Sequence, residues 1–176
     1  MTPSRPLTRP SGSRLDLSVR EFSPTDVPAI LAIQRQTHEA ARWNEAGYAH
    51  LAAEPGGLIL VAEAVGGAGE IAGFAAAARV VDEAELRNLA VGEPYRRRGV
   101  AKTLLGALHE RLRAAGVRHV YLEVRPSNQA ALALYHSAGY AERSRRKDYY
   151  QEPAEDALVL SLELKQAAER PERPER

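Results

Sequence analysis

Apolar and polar positions alternate from Leu17 to Phe22, the period of a short strand, and Ser23-Pro24 then supplies a helix cap followed by proline at the first helical position. Val27, Ile30, Leu31 and Gln34 recur at helical spacing and predict a helix reaching about Glu39. A second helix is expected from Glu45 to Ala53, where Pro55-Gly56-Gly57 stops it. These two helices would cover one face of a sheet. Leu58 to Val65 and Glu70 to Arg79 are strand-like apolar runs joined by Gly66-Gly67-Ala68-Gly69, a hairpin turn by composition. Glu85 to Val91 reads as a further strand. From Gly99 to Ala115, Val100, Leu104, Leu108, Leu112 and Ala115 share one helical stripe, and Gly116 ends it. His119 to Arg125 returns as a strand. Ser127 is placed to cap a helix bearing Ala131, Leu134, Tyr135 and Ala138, which Gly139 ends. Strands at about Tyr140 to Tyr150 and Asp156 to Leu164 complete an α/β order.

A length of 176 residues suits one domain. We expect it over residues 15–165, after a disordered leader (1–14, with Arg5, Arg9 and Arg14) and before a disordered charged tail (166–176). The 24 basic and 23 acidic residues nearly cancel, so attraction for anions has to come from local clusters. The absence of cysteine excludes thiol intermediates, disulfides and cysteine metal sites. Without a secretory signal or an apolar stretch of about 20 residues, the expected location is the cytoplasm, with no membrane partner. The five histidines show no zinc-site spacing, no serine sits on a G-x-S-x-G turn, and the 66–69 glycine cluster leads into a strand rather than a dinucleotide-binding helix. No metal is called for.

The chemistry concentrates at Arg96-Arg97-Arg98-Gly99-Val100-Ala101, where small residues open a helix. The first amides of a helix lack intrahelical partners and, with the macrodipole, favour a phosphate, to which Arg97 and Arg98 could add charge-assisted contacts. Read alone, the same segment also fits a solvated arginine run ahead of a surface helix. Preceded by Asn88-Leu89-Ala90-Val91 and Tyr95, it resembles the acetyl-CoA signature of the GCN5-related N-acetyltransferases, Arg or Gln, x, x, Gly, x, Gly or Ala, with Ala101 in the last small position. The resemblance implies a fold with a central, mostly antiparallel twisted sheet of six to seven strands flanked by helices, splayed between the strands at about 85–91 and 118–125. It implies acetyl-CoA as co-substrate: the pyrophosphate on backbone amides near Arg97 to Lys102, and Leu89, Ala90 and Val91 along the pantetheine.

Leu122-Glu123-Val124-Arg125, Ser127-Asn128, Ala133-Leu134-Tyr135, Gly139-Tyr140 and Arg145 to Tyr150 are similar to the RimI type of that superfamily, the ribosomal-protein alanine acetyltransferases. The likeness is good from Ala84 to Leu164 and looser before, where Thr37-His38 and Trp43-Asn44-Glu45 resemble the substrate-side helices. It implies that Glu123 takes the amine proton, Tyr135 protonates the departing coenzyme A thiolate and Asn128 bonds the pantetheine arm. From strand alternation, Glu123 shares a face with Tyr121 and Arg125. Glu85 is the rival base, because other members of the superfamily carry a carboxylate on that strand. By pattern alone Tyr135 also fits a core tyrosine, and Asn128 a capping residue. A backbone N–H near Leu89 to Val91 is the candidate oxyanion donor.

The acceptor implied by the resemblance is the N-terminal alanine α-amine of a small-subunit ribosomal protein. An α-amine titrates near pH 7.7–8.0, so far more of it is neutral at pH 7 than of a lysine. Trp43, Glu85, Tyr149 and Tyr150 are candidates to shape the peptide groove. The competing readings are a lysine or small-molecule amine acceptor and a non-catalytic acyl-CoA-binding module. Direct nucleic-acid binding through Arg143 to Lys147 is not expected, for want of stacking aromatics in a known RNA module. A monomer or weak dimer is expected.

Overall fold

Ile71–Val80 is a long apolar run, and its first eight residues are all buried. Six of those eight are alanine or glycine, as befits a strand covered by helices on both faces. The computed structural model describes residues 15–37, 41–66 and 69–165. The expected leader, tail, His38 and the centre of the glycine turn lie outside the described residues. In chain order the elements are β1 (Leu17–Glu21), a 3-10 turn (Pro24–Asp26), α1 (Val27–Arg35), α2 (Glu45–Ala53), β2 (Gly57–Ala64), β3 (Ile71–Val80) and β4 (Glu83–Val91). A second 3-10 turn (Glu93–Tyr95), α3 (Val100–Ala114), β5 (His119–Val124), α4 (Gln129–Ser137), β6 (Ala141–Gln151) and β7 (Ala154–Glu163) come next.

Seven strands form one sheet in the order β1-β2-β3-β4-β5-β7-β6. Every neighbouring pair is antiparallel except β4 and β5, which are parallel and joined by the crossover through α3. That pairing is short. It runs from Glu83 opposite His119 to Leu86 opposite Leu122 and stops, whereas Asn88 to Val91 have partners on β3 alone. A bulge marks the change: Leu86 faces Ala77 and Asn88 faces Ala76, which leaves Arg87 as the extra residue. The bulge also shifts which side chains point where. Ala84 and Leu86, then Leu89 and Val91, pack with α3 on one face. Ala90 packs with α1 and α2 on the other.

The core accordingly has two halves. Val100, Leu104, Leu105, Leu108 and Leu112 of α3 and Tyr135 of α4 cover one face, while Ile30 and Ile33 of α1 and Tyr48 and Leu51 of α2 cover the other. Arg20 fastens β1 to the first 3-10 turn and to β2, its guanidinium reaching Asp26 at 2.7 Å and Glu63 at 2.6 Å. The Arg20 bonds hold the Asp26 carboxyl below its usual range.

Three expectations change in detail. The first helix ends at Arg35 rather than near Glu39, because Gln36 N–H folds back to Ile33 O and the Arg96 guanidinium captures Gln36 O at 2.7 Å. It opens on a 3-10 turn in which the Asp26 carboxylate accepts from Ser23 N–H at 2.7 Å. Asn128, not Ser127, caps α4, accepting from Ala131 N–H at 3.1 Å, since Ser127 is engaged elsewhere.

Gly73 permits α3 to lie close on the sheet: a Cβ there would sit 2.8 Å from Ala90 O, 3.1 Å from Val100 Cγ1 and 3.2 Å from Leu104 Cδ1. Gly73→Val should cost about 1–3 kcal/mol through overpacking against backbone that cannot yield. A denaturant melt checks this, and an unchanged midpoint would contradict it.

Candidate active site

Where β4 and β5 part, a cavity of about 850 Å³ opens between them. Its walls are Glu85 to Leu89 of β4, Glu123 and Val124 of β5 with Arg125, the start of α4 with Asn128 and Tyr135, and Tyr149 and Tyr150 of β6. Gln36, Thr37, Ala41 and Arg42 close it from the α1–α2 side. Four candidates far apart in sequence, Glu85, Glu123, Tyr135 and Tyr150, therefore border one space.

Side-chain alternation along β5 buries Val120, Leu122 and Val124 on the α3 face, leaving His119, Tyr121 and Glu123 on the opposite face. The Glu123 side chain is only 17 % exposed and receives Arg146 Nε at 2.9 Å. The Tyr149 hydroxyl lies near this carboxylate, whose pull on its proton, ahead of burial, pushes the hydroxyl up to about 12. Glu85 stands on the same face, paired in register with Tyr121, but it is 52 % exposed and held by Arg87 Nε at 3.1 Å. Both carboxylates reach the cavity, and Glu123 is the more enclosed.

Tyr135 is 8 % exposed and enters the cavity from the α4 side. Its ring meets Tyr140 edge-on at 5.6 Å, and the Tyr140 hydroxyl lies 2.8 Å from His109 Nε2. Burial raises the Tyr135 hydroxyl above its ordinary range, so it keeps its proton at neutral pH. The core and cavity readings of Tyr135 are thus both true: the ring packs in the core and the residue borders the cavity.

At the phosphate-sized turn, Arg97 (φ +62°) and Gly99 (φ +86°) both adopt left-handed backbone. Thr103 N–H to Gly99 O, at 3.0 Å, is the first cap bond of α3, so the amides of Val100, Ala101 and Lys102 have no i−4 carbonyl inside the helix. Left-handed residues beside a helix start build a concave set of N–H donors. A Cβ on Gly99 would meet nothing within 4 Å, so the approach to these amides is open. Arg97 and Arg98 are exposed beside them. Arg96 is occupied differently, with its guanidinium bonding Gln36 O at 2.7 Å and Val91 O at 3.3 Å and so joining the turn to the end of α1. Leu89 and Val91 pack toward the α3 face. Together with the β4 edge that faces no strand, these residues offer backbone donors and acceptors beside an apolar wall, leading to an anion cradle.

Trp43 falls outside the main cavity. It packs against Tyr48, ring centres 5.2 Å apart, and lines an adjoining cavity of about 420 Å³ with Arg42, His50, Glu54 and Arg87. Sequence reasoning missed Arg42 and Arg87, which line both cavities, and the buried network beneath them. In that network Asn88 Nδ2 donates to Ala41 O at 3.0 Å and to Tyr48 Oη at 3.2 Å, and Tyr48 donates to Gln34 at 2.7 Å. Asn88, one residue beyond the bulge, so anchors Ala41 in the cavity wall. Only a buried asparagine in an apolar strand hinted at this. Among the described residues no group of three or more His, Cys, Asp or Glu is placed to hold a metal ion.

A family model described as "Acetyltransferase (GNAT) family" matches residues 27–140. The [ribosomal protein bS18]-alanine N-acetyltransferase of Escherichia coli strain K12 is 36 % identical over 149 residues, 84 % of this chain and 97 % of its own. The same-named protein of Salmonella typhimurium is 38 % identical over 146 residues, covering 81 % and 95 %. Among solved structures, the E. coli ribosomal-protein-S18-alanine N-acetyltransferase superposes with a TM-score of 0.77 at 35 % identity, covering 88 % of this chain and 98 % of that one. Ard1 from Thermoplasma volcanium gives 0.76 at 27 % identity, covering 85 % and 99 %.

His109 supports Tyr140 behind Tyr135, and burial, then Arg113, lowers its titration to about 4. The unfolded side chain titrates near 6.5. Because the unfolded state binds the proton first, this histidine should make stability fall as pH drops from about 6.5 to about 4 and contribute no pH dependence above that window. An NMR titration of the His109 ring checks this. A midpoint near 6.5 would contradict it.

Proposed function

The chain belongs to the GNAT family of acetyltransferases, and we propose that it acetylates the N-terminal alanine α-amine of a small-subunit ribosomal protein in the cytoplasm, with Glu123 as base and Tyr135 as acid. What carries this reading is that Glu123 and Tyr135 border one cavity at the β4–β5 splay, the first from the face of α1 and α2 and the second from α4. The 36–38 % identity to proteins named for bS18 alanine supports the choice of acceptor.

The residues present fit acetyl-CoA. The amides of Val100 to Lys102, with Arg97 and Arg98, would hold its pyrophosphate; Leu89, Ala90, Val91 and Asn128 would hold the pantetheine. When bound, it supplies an activated thioester acyl group. Glu123, enclosed and anchored by Arg146 and Tyr149, faces the acceptor side, where its carboxylate takes the proton of the attacking amine. Tyr135 holds a proton at a buried hydroxyl and gives it to the departing sulfur. A backbone N–H near Leu89 to Val91, on a strand held by its pairing with β3, donates to the acyl oxygen in this reading. Tyr149, Tyr150 and Glu85 wall the acceptor entrance, and Trp43 acts from behind it.

A thiol-release assay tests the acceptor. Offered acetyl-CoA with an Ala-start peptide, its N-blocked lysine-containing twin and a polyamine, the protein should turn over the first. Preference for lysine or polyamine would remove the proposed acceptor, and no turnover with any of the three would favour an acyl-CoA-binding module.

Glu123→Gln and Tyr135→Phe should each lower kcat by about 10²-fold or more. CoA binding measured by calorimetry should stay within about threefold, since neither side chain is assigned to hold the coenzyme. Full activity in both variants would overturn the mechanism.

A further inference from the structure

Arg125 ends β5 and makes an unusual number of contacts for one side chain. Its Nη1 donates to Pro153 O at 2.9 Å and to Glu155 Oε2 at 3.3 Å, and its Nη2 donates to Glu152 O at 3.1 Å. The guanidinium carbon lies 4.0 Å from the centre of the Tyr150 ring. Glu155 in turn accepts from Ser127 N–H at 2.7 Å and from Ser127 Oγ at 2.8 Å. Arg125 and Glu155 are 16 % and 18 % exposed, well below a surface pair. Three segments meet here: the end of β5, the entry to α4 and the β6–β7 turn.

Two observations take this beyond the tying of a turn. The first is what the turn carries: Tyr150 under the guanidinium, Tyr149 edge-on to it at 5.1 Å, and the Tyr149 hydroxyl near the Glu123 carboxylate in the same cavity. The second is that the sheet positions these rings only in part: Tyr150 is paired with Glu155 itself, whereas Tyr149 falls in a break of the register. Residues 141–149 of β6 are exposed, the β6–β7 register breaks between Arg146 and Tyr150, and Asp148 sits at φ +51° inside the break. Strand pairing that slips over three residues leaves the placement of Tyr149 to other contacts: the Tyr150 ring, on which Arg125 stacks, and the Arg146 guanidinium, 5.7 Å from the Tyr149 ring centre.

We infer that Arg125 and Glu155 are positioning residues, a clasp that holds Tyr149 and Tyr150 against Glu123 and thereby sets affinity for the acceptor peptide while leaving affinity for the donor unchanged. The inference rests on the proposed acceptor reading. Lysine cannot replace Arg125 here, because one ammonium cannot reach two carbonyls and a carboxylate while lying flat on a ring.

The test measures KM for an Ala-start peptide and for acetyl-CoA, and binding of the same peptide and of CoA by calorimetry. Arg125→Lys should raise peptide KM and Kd about tenfold or more and leave the acetyl-CoA KM and CoA Kd within about twofold. In a Tyr150→Leu background the same substitution should add less than about twofold, because the ring it acts through is gone. Glu155→Gln keeps one acceptor oxygen for Ser127 N–H, offers the Ser127 hydroxyl an N–H donor in place of the second, and loses the charge facing Arg125; it should raise peptide KM about threefold and covers the case in which Arg125→Lys fails to fold. An unchanged peptide KM in a folded variant, an equal loss of CoA affinity in Arg125→Lys, or an undiminished effect in the Tyr150→Leu background would overturn the clasp. Wild-type protein that turns over no amino-terminal peptide would instead overturn the reading beneath it, and the clasp with it.

Discussion

Four residues of parallel pairing, Glu83 to Leu86 against His119 to Leu122, hold β4 and β5 together, and their failure to continue is the constraint on which the site depends. Backbone N–H and C=O groups on a strand edge need partners. Past the bulge at Arg87, one edge of β4 is satisfied by β3 and the other looks into the cavity. That edge is what an extended amide-bearing arm would pair with. The α3 amides cap the same track at Gly99, and Gly73 lets α3 settle close enough to the sheet to place them there.

The bulge does a second job by changing the parity of β4. Leu89 and Val91 turn toward α3, which makes an apolar wall on the donor side. Asn88 turns toward Tyr48 and Ala41, which fixes Ala41 against the opposite face of the sheet. The two acid–base candidates obey the same division. Glu123 lies on the α1 and α2 face amid Arg146 and Tyr149, whereas Tyr135 is dehydrated in the α3 and α4 core. One sheet thus separates a polar, ion-paired face from an apolar slot, the two sides proposed above for acceptor and donor, and the splay is the opening between them. The Arg125 contacts belong to this arrangement, since they stand where the β5 end, the α4 entry and the β6–β7 hairpin converge.

Most of this order was legible in the chain because periodicity reports burial: the α2 boundaries, the α3 stripe from Val100 to Leu112 and the β5 alternation all arise from side chains seeking one face. The segment from Arg96 to Ala101 was legible through its likeness to a known signature, although Arg96 turns out to bind Gln36 and Val91. What escaped depends on contacts between distant residues. Ser127 resembles a cap by position, yet Glu155, 28 residues away, takes its hydroxyl and leaves Asn128 to cap. The early end of α1 is set by Arg96, 60 residues after Gln36, and the bulge at Arg87 by the register with β3. No local pattern encodes such pairings.

The central claim is that the coenzyme lies in the β4–β5 splay, and a crystal structure of the protein with bound CoA tests it most directly. The account predicts the pyrophosphate on the amides of Val100 to Lys102, the pantetheine along the edge of Leu89 to Val91 that faces no strand, and the sulfur beside the Tyr135 hydroxyl. Coenzyme bound away from the splay, or a sulfur remote from Tyr135, would contradict it.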